Sequence, residues 1–246
     1  MQQLFEKIKN KFNKTSVLAE KYAGEINFWT ITIKEYVKWF NGEIELYKEP
    51  SPKKSQKIKA YLVGDSAVLT WGKLHQEKKY LQDLQLKQDA FKGKKLLDIG
   101  SGPHPSALCF KGAQLYCLDP LLPQYLEIGF PIHYYEKAKF VCGKSESIPF
   151  PDNFFDAIIS VNAIDHVDDI KKTAMEIQRV LKKNGKIRMH IHYHKRTQAE
   201  PIELNDKKIV KLFGWCKGFH KVDESTSKRG FDLSDKSEKY TLWSNF

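Results

Sequence analysis

An α/β chain with a doubly wound, mostly parallel sheet and a helical segment in front of it is what the sequence predicts, from three observations. The first is Lys94–Asp119, KKLLDIGSGPHPSALCFKGAQLYCLD, which reads as strand, glycine turn, helix and second strand closing on an acid. The second is Ala157–Val161, a run without polar alternation, as expected of a strand buried on both faces. The third is the pairing of a helical stretch, Asp169–Lys182 with Ile170, Ala174, Ile177, Val180 and Leu181 on one face, with a strand over Lys186–Tyr193.

Length and composition fit that class. At 246 residues the chain accommodates one α/β domain with an elaboration. Cys109, Cys117, Cys142 and Cys216 are far apart and mostly in apolar runs, which predicts free thiols in a reduced, cytoplasmic protein. No stretch has the apolar length of a membrane span, and the N-terminus lacks a signal-peptide core. The excess of 41 Lys+Arg over 30 Asp+Glu, +11, is dispersed among acids, the pattern of a lysine-rich solvated surface.

Residues 1–90 read as a helical extension and 91–246 as the main domain. Leu4, Phe5, Ile8 and Phe12 form a basic amphipathic helix that docks on the domain or, alternatively, lies on an anionic membrane. Thr32 and Glu35 have capping-box spacing, and Gly42 is a stop signal. EPSPKKSQKIK, Glu49–Lys59, is an exposed connector, and a helix runs from Asp65 or Ser66 to Lys87. Its Trp71, His75 and Tyr80 are core residues or, alternatively, pocket residues.

The glycine turn discriminates between ligands. A dinucleotide cradle wants a third glycine, and Pro105 stands there. Gly100 and Gly102 behind the strand-end carboxylate Asp98 instead resemble motif I of the class I S-adenosylmethionine-dependent methyltransferases. A later run, GKSESIPFPDNFFD (Gly143–Asp156), is similar to the type-11 branch of that family.

The resemblance implies a Rossmann-like methyltransferase fold of seven strands, the last antiparallel between the fifth and sixth. It implies S-adenosylmethionine as cofactor and S-adenosylhomocysteine as product. Asp98, Gly100, Ser101, Gly102, Asp119 and Pro120 would hold the methionine and ribose, Asp119 accepting from the ribose hydroxyls. Ser145, Glu146 and Asn162 would complete the site. Two departures stand out: Lys144 replaces an acid that would accept from the adenine amino group, and His104 replaces a third glycine.

Acceptor-side candidates lie at the strand mouths. His166 is the general-base candidate, with Asp165 assisting it. His190, His192 and His194 alternate and so share one face, where they line an acceptor pocket or, with Glu200, bind a metal; no metal is assigned. The acceptor expected is a small molecule, of sugar type for example, methylated on O or N. Nucleic acid is disfavoured, because Asn162-Ala163-Ile164-Asp165 lacks the N/D-P-P-Y/F motif of the family's nucleic-acid amine methylases. The competing reading is a silent cofactor-binding scaffold.

Overall fold

The protein is described by a computed structural model covering residues 16–197, 200–225 and 239–246. The helix read over Leu4–Phe12 and most of the polar loop before the last strand lie outside the described residues.

Among the described residues, seven strands form one sheet in the order β3-β2-β1-β4-β5-β7-β6. They are β1 Lys95–Ile99, β2 Gln114–Asp119, β3 Ala138–Cys142, β4 Phe155–Val161, β5 Leu181–Tyr193, β6 His220–Ser225 and β7 Lys239–Ser244. The first five pair in parallel, and β7 runs antiparallel to both neighbours, as expected. The central strands are apolar because both faces are covered: Leu97, Ile158 and Ile187 pack with Ala174, Ile177, Ile209 and Phe213 on one face, while Leu96, Ala157 and Ile159 pack with Leu84, Phe91 and Phe110 on the other.

The helical extension comprises α1 (Ser16–Asn41), α2 (Val63–Trp71), a π turn at Gly72–Gln76 and α3 (Glu77–Leu84). Gly42, at φ +88°, ends α1 as its sequence position suggests. Thr32 and Glu35 do not start a helix. Thr32 lies within α1, its hydroxyl donating to the Phe28 carbonyl at 2.8 Å. The apolar positions Tyr22, Ile26, Trp29, Ile33, Tyr36 and Phe40 continue on one face across the expected cap and bury together, and that packing outweighs a local capping signal.

The β1–β2 connection holds only a 3-10 turn, Ser106–Cys109, in place of the full helix expected. Pro103 and Pro105 supply no backbone donors, and few residues separate the strands. After β2 comes the short α4 (Leu122–Glu127), whose Leu122 and Tyr125 pack into the aromatic cluster beneath α1. The strand expected from Lys186 starts earlier, because β5 begins directly after α5 (Ile170–Val180) and carries a register irregularity opposite Phe155–Ala157. Asp169, at the start of the helical stretch read from the sequence, caps α5 by accepting from the Lys171 and Lys172 amides, and Asn205 caps α6 (Asp206–Phe213) by accepting from the Lys208 amide. Asp156 has a structural role at the start of β4, accepting from the Lys95 amide and from Lys182.

Candidate functional site

A cavity of about 780 Å³ opens at the C-terminal ends of β1, β2 and β4, a volume in the range of small-molecule sites. Parallel strands present their mouths at this edge, and here α1 covers it. Gly100, Ser101, Gly102, Asp119, Pro120, Ser145, Glu146 and Asn162 all line this one cavity, as do Tyr80, His166 and His192.

The turn after β1 depends on glycine. Gly100 has φ +68°, and a Cβ there would lie 2.3 Å from the Cβ of Ala163. Gly102 has φ +61°, with Trp29 of α1 3.8 Å from where a Cβ would stand. Asp119 closes β2 and fastens this turn: Oδ2 accepts from the Gly102 amide and Oδ1 from the Leu121 amide, each at 2.9 Å. Burial raises its pKa to about 6, against the opposing effect of those two amides. Each oxygen keeps lone-pair capacity for a ligand hydroxyl.

Asp98 is placed differently from expectation. It is fully buried behind the cavity wall, Oδ1 3.5 Å from the Tyr80 hydroxyl, and burial, reinforced by the charge of Asp119, pushes its pKa well above the carboxylate range. His104 lines the cavity and is buried, its Nε2 3.3 Å from the Tyr36 hydroxyl and its ring edge-on to Trp29. Burial lowers its pKa to about 3, so it is neutral.

At the far end of the cavity, the GKSESIPFPDNFFD loop is tied to α5. Arg179 donates to the carbonyls of Ile148 and Phe150, and Glu176 accepts from the Ile148 amide. Glu146 is engaged by backbone, Oε1 accepting from the amides of Asp168 at 2.6 Å and Asp169 at 3.0 Å. Ser145 bonds Thr173 at 3.0 Å. Lys144, which departs from the family pattern, pairs with Asp168 at 2.6 Å, and both line the cavity. Asp168 thus restores an acceptor beside the position where the sequence lost one.

The acceptor-side residues divide. Asn162 turns the chain out of β4 with φ +52°, its amide donating to the His190 carbonyl. His166 lies on the cavity wall with Nε2 3.7 Å from Asp165 and 3.6 Å from Glu200. Asp165 is fully buried behind it and pairs with His194 at 3.1 Å. Burial, which raises the Asp165 pKa, is outweighed by the His194 hydrogen bond and the neighbouring imidazoles, so the carboxyl sits below its usual range. His192 stacks on Tyr240 across the β5–β7 pair, centroids 4.5 Å apart.

Two of the expected pocket residues are elsewhere, and a third lies behind the wall. Trp71 is packed among Tyr36, Trp39, Tyr47 and His75 beneath α1, away from the cavity, because its helix turns that face toward α1. His190 stacks on the other side of Tyr240 and faces a smaller cleft with Gln82 and Asp83. His194 is held behind the wall by Asp165. The residues that sequence reading missed are Tyr22, Phe28 and Trp29 on α1, Tyr240 on β7, and Asp168. The local signal for the α1 residues is no more than an aromatic-rich apolar face.

Comparison with known proteins agrees with this geometry. Residues 97–189, from β1 into β5, match the family model described as a methyltransferase domain. The chain is 33% identical over 103 residues to an uncharacterized methyltransferase, YcgJ, of Bacillus subtilis, covering 40% of this chain and 41% of that protein. It is 28% identical over 130 residues to norajmaline N-methyltransferase of Rauvolfia serpentina, covering 49% and 44%. The chain thus spans under half the length of these curated relatives. The crystal structure of YcgJ superposes with a TM-score of 0.53 at 18% identity, covering 69% of this chain and 97% of that one, a likeness of fold. The fold, the glycine turn with its acid on β2 and the match over residues 97–189 together give the chain a methyltransferase-type domain, similar to the type-11 branch of the class I S-adenosylmethionine-dependent methyltransferases.

Proposed function

We propose that the protein transfers a methyl group to an oxygen or nitrogen atom of a small-molecule acceptor. The observation that carries this is the convergence of the glycine turn, Asp119 and the Gly143–Glu146 loop with His166 and His192 in one cavity. The names of relatives such as norajmaline N-methyltransferase support a small-molecule acceptor.

Gly100, Ser101, Gly102, Asp119 and Pro120 would hold the methionine and ribose, and Ser145, Asn162 and Asp168 the rest of S-adenosylmethionine. That molecule supplies a methyl group already activated on sulfonium sulfur. The cavity fits it: Gly102, with nothing nearer than 3.8 Å to where a Cβ would stand, leaves backbone open to close approach, and Asp119 offers two acceptor oxygens at the strand end. The chain's own work is alignment, exclusion of water beneath α1, and acceptance of the acceptor's proton by His166.

The expected result is release of S-adenosylhomocysteine with an acceptor from a panel of hydroxylated and amine small molecules. His166→Ala should lower kcat about 10²-fold or more while leaving cofactor affinity within a few-fold. Cofactor binding without turnover across the panel would favour a silent scaffold.

Affinity should also depend on pH in a direction that Asp119 sets. Its folded pKa of about 6 lies above the ordinary carboxylate value, so ionisation costs the fold roughly 3 kcal/mol at neutral pH, and that cost develops as pH rises from 4 through 6. Ribose hydroxyls need the ionised form. Calorimetric affinity for S-adenosylhomocysteine should therefore be highest above pH 6 and fall as pH drops below it, and a pH-independent affinity between 5 and 8 contradicts the role of Asp119.

A further inference from the structure

We propose that Asp165, His192, His194 and Glu200 form a binding site for a divalent first-row transition cation at the acceptor edge of the cavity. The inference does not depend on the methyl-transfer reading. Each of the four offers one donor atom, and these atoms lie within 4.8 Å of one another. Four donors around a four-coordinate cation with bonds of about 2.0–2.2 Å stand roughly 3.3–3.6 Å apart, so closing on a cation needs side-chain adjustments of about 1 Å or less.

Three features go beyond clustering. First, Asp165 is fully buried and turns Oδ2 toward the other donors, 3.1 Å from Nε2 of His194 and 3.7 Å from Nε2 of His166, so the negative charge at the cluster is withdrawn from water. Second, Nδ1 of His194 donates to the Lys195 carbonyl at 2.6 Å, which leaves Nε2 as the donor atom on the side of Asp165, 3.1 Å away. A carbonyl holding the remote ring nitrogen is the usual way a ligating histidine is oriented. Third, each of the remaining donors is set by backbone or ring contacts. His192 is clamped in a stack with Tyr240, and its Nδ1 is 3.9 Å from Glu200. Glu200 is placed by its amide, which donates to the Thr197 hydroxyl, and its carbonyl, which accepts from the Thr197 amide; the Ile202 amide donates to the Asp165 carbonyl.

Donor chemistry selects the ion. Two imidazoles with two carboxylates suit zinc, cobalt, nickel, manganese or iron in the divalent state, whereas magnesium and calcium prefer all-oxygen shells. His192 and Glu200 line the cavity while Asp165 and His194 lie behind its wall, so the cation would present an open side to the cavity beside His166.

The test uses the full chain, stripped with chelator and titrated with zinc chloride or cobalt chloride by calorimetry. We expect one cation per chain, and with cobalt the visible absorption of a four- or five-coordinate ion. Because Asp165 and His194 are buried and their variants risk misfolding, the informative variants are Glu200→Gln and His192→Asn, checked by thermal melts. Either should weaken binding at least tenfold, and the double variant should abolish the cobalt spectrum. Wild-type affinity no greater than that of the folded double variant, or a cobalt spectrum of six-coordinate aquo character in both, would overturn the proposal and leave the cluster as an Asp165–His194 ion pair.

Discussion

An Asp119→Ala protein is expected to lose measurable calorimetric affinity for S-adenosylhomocysteine while remaining folded. A hydrogen bond to a charged group contributes about 1.5–3 kcal/mol, so two ribose hydroxyls on one carboxylate amount to roughly 10²–10⁴-fold in affinity. The variant also frees the Gly102 and Leu121 amides, loosening the glycine turn at the same stroke. Stability should change little. The two lost backbone bonds are set against relief from holding a buried carboxylate ionised. Asp119→Asn separates the contributions, since its amide oxygen can still accept one backbone bond but offers no charge. Unchanged affinity in a folded Asp119→Ala protein would remove the residue from the site.

Gly100→Ala is the second large effect, and it acts on the fold as well as on binding. Alanine at φ +68° is strained by roughly 1–2 kcal/mol, and its Cβ would fall 2.3 Å from that of Ala163. Relieving that overlap forces the β1 turn away from the segment after β4, at a further 1–3 kcal/mol or so. We expect a melting temperature lowered on the order of 10 °C and binding lost with it. Gly102→Ala is the control, because it has similar strain but only an ordinary 3.8 Å contact with Trp29, so it should destabilise less. Adding Ala163→Gly to Gly100→Ala should recover the packing part of the loss. A Gly100→Ala protein as stable as Gly102→Ala would show that the turn does not need the close approach to Ala163.

The legible parts of this protein are those governed by short-range rules. The strand runs around Leu96 and Ile158, the caps Asp169 and Asn205, and the motif residues Gly100 and Asp119 carry their role in their immediate neighbours. The antiparallel place of β7 came from family likeness. What was not legible depends on contacts far apart in the chain. Thr32 has the right neighbours for a cap, yet the burial of a continuous aromatic face holds it inside α1. Trp71 and Tyr80 lie on the same helical segment, but only Tyr80 reaches the cavity, since Trp71 packs against Tyr36 and Trp39 of α1 while Tyr80 turns toward Asp98 of β1. Alternation along β5 placed the three histidines on one face, but Tyr240 from the neighbouring strand divides them between two clefts. Lys144 read as a loss of an adenine acceptor; its pairing with Asp168, twenty-four residues on, is invisible locally.

Trp29 on α1 makes edge contacts with His104, Tyr125 and Phe130 and stands over Gly102, so the helical extension and the glycine turn share one packed surface. Linkage then makes the two reciprocal: whatever free energy a bound cofactor gains from that wall, it returns as tighter docking of α1, and a change that loosens α1 weakens the cofactor by the same factor. Amide exchange along α1 would thus report occupancy of a site most of whose polar contacts lie elsewhere in the chain.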